Sequence, residues 1–335
     1  MSDQILALDR FDTVAEGAFT FPERVDYLKK FGTHSQSFST LQPGMNYFDL
    51  PGVGFIGFMR KWGMTFVLSD PISAPEHFEL ILERFHSRYP NASYIQVSKP
   101  VVDFLHRRFG LYGTQFGSES RIKLSEWSLT GKKKQIIRTA LNQAEKNGIT
   151  VKERFSDDNT REISDAWIQT RKCKSKEIRF LIRPMEMNYR ENERHFYAYQ
   201  DDKAVGFVYF DPIYRNNRII SYVPNISRAN ADFRQGIFYT LLAHAMEVFQ
   251  KEGVPWLDLG LIPLSLDQAT EHQESRLFKK MLHGVYNRGN FLYNFKGLEF
   301  TKSRFRGSSF KTYCCHRRSV PAVEFLAMFK LTRLL

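Results

Sequence analysis

Seven cations and a single carboxylate fall between Tyr293 and Arg318: Lys296, Lys302, Arg304, Arg306, Lys311, Arg317 and Arg318 against Glu299. Aromatic residues alternate with them around Gly297 in Y-N-F-K-G-L-E-F-T-K-S-R-F-R-G (Tyr293–Gly307). Upstream, V-P-W-L-D-L-G-L-I-P-L-S-L (Val254–Leu266) reads as a buried strand that runs out into a proline-terminated loop. A strand end facing a basic, aromatic segment is suited to an anionic substrate, because cations neutralise its charge and rings stack on its bases. The structural alternative is that a strand and loop carry these charges for solubility. A second cluster, Lys132, Lys133, Lys134 and Arg138, sits at the N-terminal end of a predicted helix. Cations there oppose the helix dipole at a few tenths of a kcal/mol each (~0.3). Either an anionic partner offsets that cost or the cluster is a solvated face.

The bulk numbers agree with an anionic partner and exclude several other classes. The chain has 335 residues, a net charge of +12, 42% hydrophobic and 25% charged residues, so it is globular and large enough for two domains. The excess of positive charge attracts nucleic acid, anionic lipid or phosphorylated substrates. Three cysteines, Cys173, Cys314 and Cys315, make no disulfide framework, and neither C-x-x-C nor H-E-x-x-H occurs. The first residues lack the pattern of a signal peptide, and no apolar run approaches a bilayer span. The expected location is therefore a reducing cytoplasm, with peripheral contact at the inner face of the membrane open. G-V-G-F-I-G (Gly52–Gly57) spells a dinucleotide fingerprint, but Pro51 precedes it and no capped helix follows, so it reads as glycine-interrupted strand. Neither a P-loop nor a G-x-S-x-G elbow is present, and the nine histidines show no triad spacing.

The elements that must position these groups follow from periodicity. Helices are predicted over Phe21–Phe31 (ended by Gly32), Pro75–Tyr89, Pro100–Phe109, Gly131–Gly148, Ile163–Lys172 and Gly236–Glu252. Strands are predicted within Met45–Asp70 and over Ser93–Val97, Arg121–Leu124, Arg194–Tyr199, Ala204–Tyr209, Arg218–Val223 and Pro255–Leu261. Both halves thus run through several strands, a helix and a strand, with a boundary near Trp127–Gly131. The C-terminal Ala322–Leu335 reads as an amphipathic, basic helix that either packs on the core or lies on a lipid surface.

The chain resembles the C-terminal synthase domain of the lysyl-phosphatidylglycerol synthases from about Met45 to Tyr313. F-V-L-S-D-P-I (Phe66–Ile72), Y-I-Q-V-S (Tyr94–Ser98), G-S-E-S (Gly117–Ser120), Ser128–Gly148, A-W-I (Ala166–Ile168) and D-L-G-L-I-P-L-S (Asp258–Ser265) are similar to family segments in order. F-K-G-L-E-F-T-K-S-R-F (Phe295–Phe305) is similar to the family's F-K-G-L-x-x-F-K-x-K-F. Two segments depart from the lipid synthases, K-S-K-E-I-R-F-L-I-R (Lys174–Arg183) and I-S-Y-V-P (Ile220–Pro224), and no stretch of this sequence resembles their membrane-spanning half.

The resemblance implies an α+β fold of two tandem acetyltransferase-like (GNAT) domains, with mixed, mostly antiparallel sheets flanked by helices. The first would occupy residues 1–127, a linking basic helix 128–150, and the catalytic second domain 151–335. It implies an aminoacyltransferase that moves an amino acid from aminoacyl-tRNA to a hydroxyl- or amine-type acceptor, either a phospholipid head group or a small natural-product molecule. The donor ester is already activated, so positioning and oxyanion stabilisation suffice, and no covalent nucleophile, metal or cofactor is expected. Asp258 would orient the amino group of the aminoacyl moiety or act as a base. Lys296 and Lys302 would contact terminal phosphates or the oxyanion, and Arg304 would bind substrate in the same way. Tyr222, Asp211 and Arg228 would line the acceptor side, and Lys132, Lys133, Lys134, Arg138 and Arg306 would bind tRNA. Each of these residues also has a structural alternative, such as a turn cap for Asp258. Two other functions stay open. One is an acyl-CoA-dependent N-acyltransferase, although F-R-Q-G-I-F-Y (Phe233–Tyr239) has Phe238 where a small residue is needed at the pyrophosphate loop. The other is a non-catalytic RNA- or membrane-binding protein.

Overall fold

The computed structural model describes residues 18–170, 177–185, 191–230, 236–288 and 295–334. The start of the first expected domain, the end of the helix predicted to Lys172, Cys173, Phe233–Gln235, Tyr293 and Asn294, and Leu335 lie outside them.

Most elements form for the reasons read from the sequence. Helix α1 (Phe21–Phe31) starts at a capping box in which the Thr20 hydroxyl accepts the Glu23 amide and the Glu23 carboxylate accepts the Thr20 amide. Strands β1 (Asn46–Leu50), β2 (Gly54–Lys61) and β3 (Met64–Leu68) form an antiparallel meander, and β4 (Ile72–Ser73) pairs with β2. Helix α2 (Phe78–Arg88) then crosses over to β5 (Ser93–Val97), which lies parallel to β3. Helix α3 (Lys99–Phe109) ends at Gly110 in the left-handed region and leads into β6 (Tyr112–Lys123). The G-x-G-x-x-G stretch falls at the start of β2, with no helix after it.

The second half repeats this order. Helix α4 (Gln135–Lys146) precedes β7 (Thr150–Glu153), α5 (Thr160–Gln169) and the antiparallel strands β8 (Arg194–Gln200), β9 (Lys203–Arg215) and β10 (Arg218–Ala229). Helix α6 (Ile237–Lys251) crosses over to β11 (Trp256–Asp258), parallel to β10. There follow β12 (Ile262–Pro263), α7 (Arg276–Arg288), α8 (Phe295–Ser303), β13 (Ser308–His316) and α9 (Ala322–Thr332). The fold class is α+β, a mixed and mostly antiparallel sheet with flanking helices, in which the second half runs through the order of the first.

Two readings need correction. The structural alternative for the basic segment after Phe295, a strand and loop, does not hold there, because the segment forms helix α8. The F-x-x-L and L-x-x-T spacings give it a helical face, which the aromatic–basic alternation masked. The strand expected over Pro255–Leu261 stops at Asp258, because Gly260 takes a left-handed φ of 68° and turns the chain.

The sheet is continuous, in the order β1-β2-β3-β5-β13-β6-β11-β10-β9-β8-β7. The C-terminal strand β13 fits between β5 and β6 of the first half, and β6 in turn carries β11 and β12 of the second half on its other side. Gly117 makes that close approach feasible: a β-carbon there would lie 2.4 Å from the Ile262 carbonyl oxygen.

Each half has one short parallel pair, and the two pairs end differently. Strands β3 and β5 pair up to Leu68 and Ile95, which lie in one apolar cluster with Phe116, Phe180 and Leu264, so that divergence is packed with side chains. Strands β10 and β11 pair only at Ser221–Trp256 and Tyr222–Leu257. Pro224 has no amide to donate, and a bulge lies between Pro224 and Ile226. The strands separate there and open a cavity.

Candidate active site

The cavity has a volume of about 1680 Å³ among the described residues. Its floor is the end of β10 and the Gly260 turn, and the N-terminal ends of α4 and α6 form one wall. The segment 178–182 and helices α7, α8 and α9 form the other. That volume exceeds the roughly 300–1,000 Å³ of sites for single drug-sized ligands.

Lys302 is the central cation. It projects from α8 into the cavity wall, and its Nζ donates to the Leu261 carbonyl oxygen at 2.9 Å. Burial pushes its pKa down to about 8, against the opposing pull of the Glu119 carboxylate. Near neutrality it is still mostly an ammonium, strengthened by low-dielectric surroundings and close to the pH at which it can exchange a proton. Helix α8 is held in register by Glu299, which accepts from the Ser265 hydroxyl at 2.8 Å and from the Tyr286 hydroxyl. Behind α8, Phe305 is buried against Tyr239, and its carbonyl accepts from the Trp127 indole at 3.3 Å.

Arg304 lines the same cavity, with its guanidinium 3.8 Å above the Phe300 ring. Its Nε is buried without a hydrogen-bond partner among the described residues. Lys132 and Lys133 lie exposed at the rim beside it. Arg228 lines the opposite side, bonded to Ser164 and Glu177 and 5.2 Å over the Trp167 ring. The structure therefore brings Lys302, Arg304, Arg228, Lys132 and Lys133 onto one cavity.

The other expected site residues lie off it. Asp258 is fully buried; Arg121 Nε approaches both carboxylate oxygens at 3.0 and 3.1 Å, and the Ser221 hydroxyl donates to one at 2.6 Å. Burial raises its pKa, opposed first by Arg121. It cross-links β6, β10 and β11 beneath the cavity floor. Asp211 is buried under Arg183 and Asn225, at 2.7 and 2.6 Å, and burial pushes its carboxyl up despite the guanidinium. Tyr222 stacks on Phe249 at 4.5 Å in the second-half core. Lys296 is exposed with its ammonium 5.7 Å from the Tyr286 ring, and Arg306 is exposed. Lys134 and Arg138 fasten the linking loop: Lys134 donates to the Ser128 carbonyl at 2.5 Å, and Arg138 to those of Leu129 and Gly131 at 2.5 and 2.8 Å.

Sequence reasoning missed the polar corner formed by Ser35, Gln36 and Asn225. All three line the cavity, and Ser35 Oγ and Gln36 Oε1 are buried without partners among the described residues. The Asn225 amide donates to Ser39 and Asp211 at 2.8 and 2.6 Å. Pro224-Asn225 inside a strand was a readable signal for a bulge; Ser35 and Gln36 carried none. Segment 177–183 belongs here too. Arg183 anchors it, fully buried between Asp211 and Glu193, and Gln42 holds both the amide and the carbonyl of Phe180. Ile178, Leu181 and Ile182 thereby face the cavity.

The described thiols and His316 do not line the cavity. Cys314 and Cys315 are buried free thiols that burial pushes well above their usual range, and His316 is pushed down to about 4 by burial. The site is thus a cavity opened by strand divergence and lined by a buried lysine together with further cations.

A sequence profile described as "Phosphatidylglycerol lysyltransferase, C-terminal" matches residues 25–316, and the chain belongs to that family. The phosphatidylglycerol lysyltransferase of Bacillus subtilis (strain 168) is 25% identical over 304 residues, which is 86% of this chain and 34% of that protein. The one from Staphylococcus aureus (strain MRSA252) is 24% identical over 82% of this chain and 33% of its own length. The chain thus spans about a third of the length of these relatives. The L-PGS structure from Bacillus licheniformis superposes with a TM-score of 0.77 at 18% identity, covering 93% of this chain and 95% of that one.

Proposed function

We propose that this protein transfers an amino acid from aminoacyl-tRNA to the head group of a phospholipid. The observation that carries this reading is one cavity with two kinds of lining. Lys132, Lys133 and Arg304 line it together with the exposed Phe300, a combination suited to the unpaired, anionic terminus of a tRNA. Met281, Val285, Leu326 and Phe329 line it as well, which suits the acyl region of a lipid. Lys302 lines the same cavity. The relatives' names support a phospholipid acceptor.

The reaction needs no enzyme-bound intermediate. The acceptor hydroxyl attacks the ester carbonyl carbon, a C–O bond forms, and the carbonyl electrons move onto its oxygen. Collapse breaks the bond to the terminal ribose, whose oxygen leaves with the proton that the acceptor loses. The Lys302 ammonium would meet the developing oxyanion, and the buried surroundings make that one contact strong. The shared cavity holds donor and acceptor together, which removes the entropy of a bimolecular encounter.

The departures at Lys174–Arg183 and Ile220–Pro224 favour one alternative outcome, a small-molecule acceptor, since Leu181, Ile182 and Pro224 from them line the cavity together with the polar corner. Against acyl-CoA stands Phe238, whose side chain lines the cavity at the first turn of α6, where a pyrophosphate would need bare amides. The deciding experiment is isotope transfer. Labelled aminoacyl-tRNA is incubated with the protein and phosphatidylglycerol vesicles, then with a small-molecule pool. Label in the organic phase supports the proposal. Label only in small molecules moves the acceptor, and label from acetyl-CoA alone sinks the tRNA donor.

A further inference from the structure

We infer that the paired faces of α7 and α9 form a docking surface for an anionic phospholipid bilayer, through which the acceptor enters the cavity. This rests on the lipid-acceptor reading above. Helices α7 and α9 lie side by side: Phe278 packs edge-on against Phe325 at 4.6 Å, and Ser275 at the start of α7 bonds the Ser319 carbonyl ahead of α9. Each leaves an aliphatic stripe in solvent. On α9 it runs through Val323 and Leu326, 49% and 45% exposed, with Val320 just before the helix; on α7 it is Leu277, 64% exposed. Exposed branched aliphatics cost hydration free energy unless something covers them.

The surrounding charge selects the cover. Arg276 and Lys280 on α7, and Lys330 on α9, stand exposed beside these stripes. Helix α7 contains no carboxylate, and the only one on α9, Glu324, is paired with Arg318 at 3.6 Å. Aliphatic side chains ringed by cations match an interface of acyl chains beneath anionic head groups. A tRNA would instead favour stacking rings, whereas the exposed residues of these stripes, Leu277, Val320, Val323 and Leu326, are all aliphatic. The surface also connects to the cavity: Leu326 is both exposed and part of the cavity wall, and Met281 and Val285 of α7 line the same mouth. No helix among the described residues is long and apolar enough to cross a membrane, so α9, at 11 residues, would lie in the interface plane.

The test uses the whole chain, sucrose-loaded vesicles and a Leu277→Glu/Val323→Glu double variant, neither position lining the cavity. The protein should sediment with phosphatidylglycerol vesicles and much less with phosphatidylcholine vesicles. The variant should lose at least about tenfold in vesicle affinity, a change of about 1.4 kcal/mol. Its aminoacyl transfer to vesicle lipid should fall in parallel, while transfer to a monomeric short-chain phosphatidylglycerol and tRNA binding stay as in the parent. Vesicle binding equal to the parent's, or loss of tRNA binding in place of vesicle binding, would overturn the inference. Should the double variant not fold, Arg276→Gln/Lys280→Gln/Lys330→Gln serves instead, and the preference for anionic vesicles should vanish. Vesicle binding by the parent without transfer to any lipid would refute the lipid-acceptor reading and leave the docking surface standing.

Discussion

At the scale of the residue, Lys302 carries the sharpest predictions. Lys302→Ala removes the buried ammonium that lines the cavity, and we expect kcat for transfer to fall by about 100-fold, or about 2.7 kcal/mol in barrier. An unchanged kcat in single-turnover assays would remove Lys302 from the chemistry. The pH profile has a definite sign. Burial holds the folded-state pKa at about 8 against 10.5 for the free side chain, so the ammonium is lost as pH rises through about 8. If the ammonium stabilises the oxyanion, kcat has a falling limb near that pH, and Lys302→Arg moves the limb to higher pH. The linked stability effect has the same origin: between about 8 and 10.5 the unfolded chain binds the extra proton, so this residue's burial penalty is relieved as pH rises through that window. Arg183 predicts differently. It is buried between Asp211 and Glu193, so Arg183→Ala strands two carboxylates and should cost about 3–5 kcal/mol in denaturant unfolding, with segment 177–185 released from the cavity wall. A loss under about 1 kcal/mol would show that the network is not holding the segment.

At the scale of the element, the site depends on where two short segments stop. Strand β11 ends because Gly260 turns in the left-handed region, where a β-carbon would lie 3.2 Å from the Val223 side chain and 3.7 Å from Lys302 Nζ. Gly260→Val therefore combines backbone strain with crowding. We expect about 1–3 kcal/mol of destabilisation and a larger loss of activity than of stability, read by comparing kcat with the unfolding midpoint. Retained activity in this variant would argue that the turn does not set the Lys302 position. Helix α8 shows how an element can be misread: its cations and rings alternate like a strand, but Glu299 bonds both Ser265 and Tyr286 only from a helix. Lys296 and Lys302, six residues apart, then lie on different faces, which is why one is exposed and the other faces the cavity.

At the scale of the whole molecule, β13 ties the two halves together, because it supplies hydrogen-bond partners to both β5 and β6 of the first half. A chain cut after Gly148 would expose both strand edges, and we expect it to fail to give cooperative thermal unfolding on its own. A sharp transition for that fragment would show the first half to be autonomous. Much of this architecture was legible in the sequence: the helix and strand order followed periodicity and caps, and the family segments appeared in their proper order. Residue types also announced the basic, aromatic rim, since clustered charge and rings are local properties of the chain. What the sequence could not supply was convergence. Asp258 was a candidate as a residue near a strand end and Tyr222 through the family resemblance, yet their side chains point into the sheet interior, toward Arg121 and Phe249. Ser35 and Gln36 looked like nothing, yet they reach the same cavity as Asn225 and Arg228. The reason is physical. Propensity, patterning and charge are set by neighbours in sequence, whereas a cavity opens where Pro224 and Gly260, 36 positions apart, let two strands part. Which side chains face that opening was decided only by the tertiary structure.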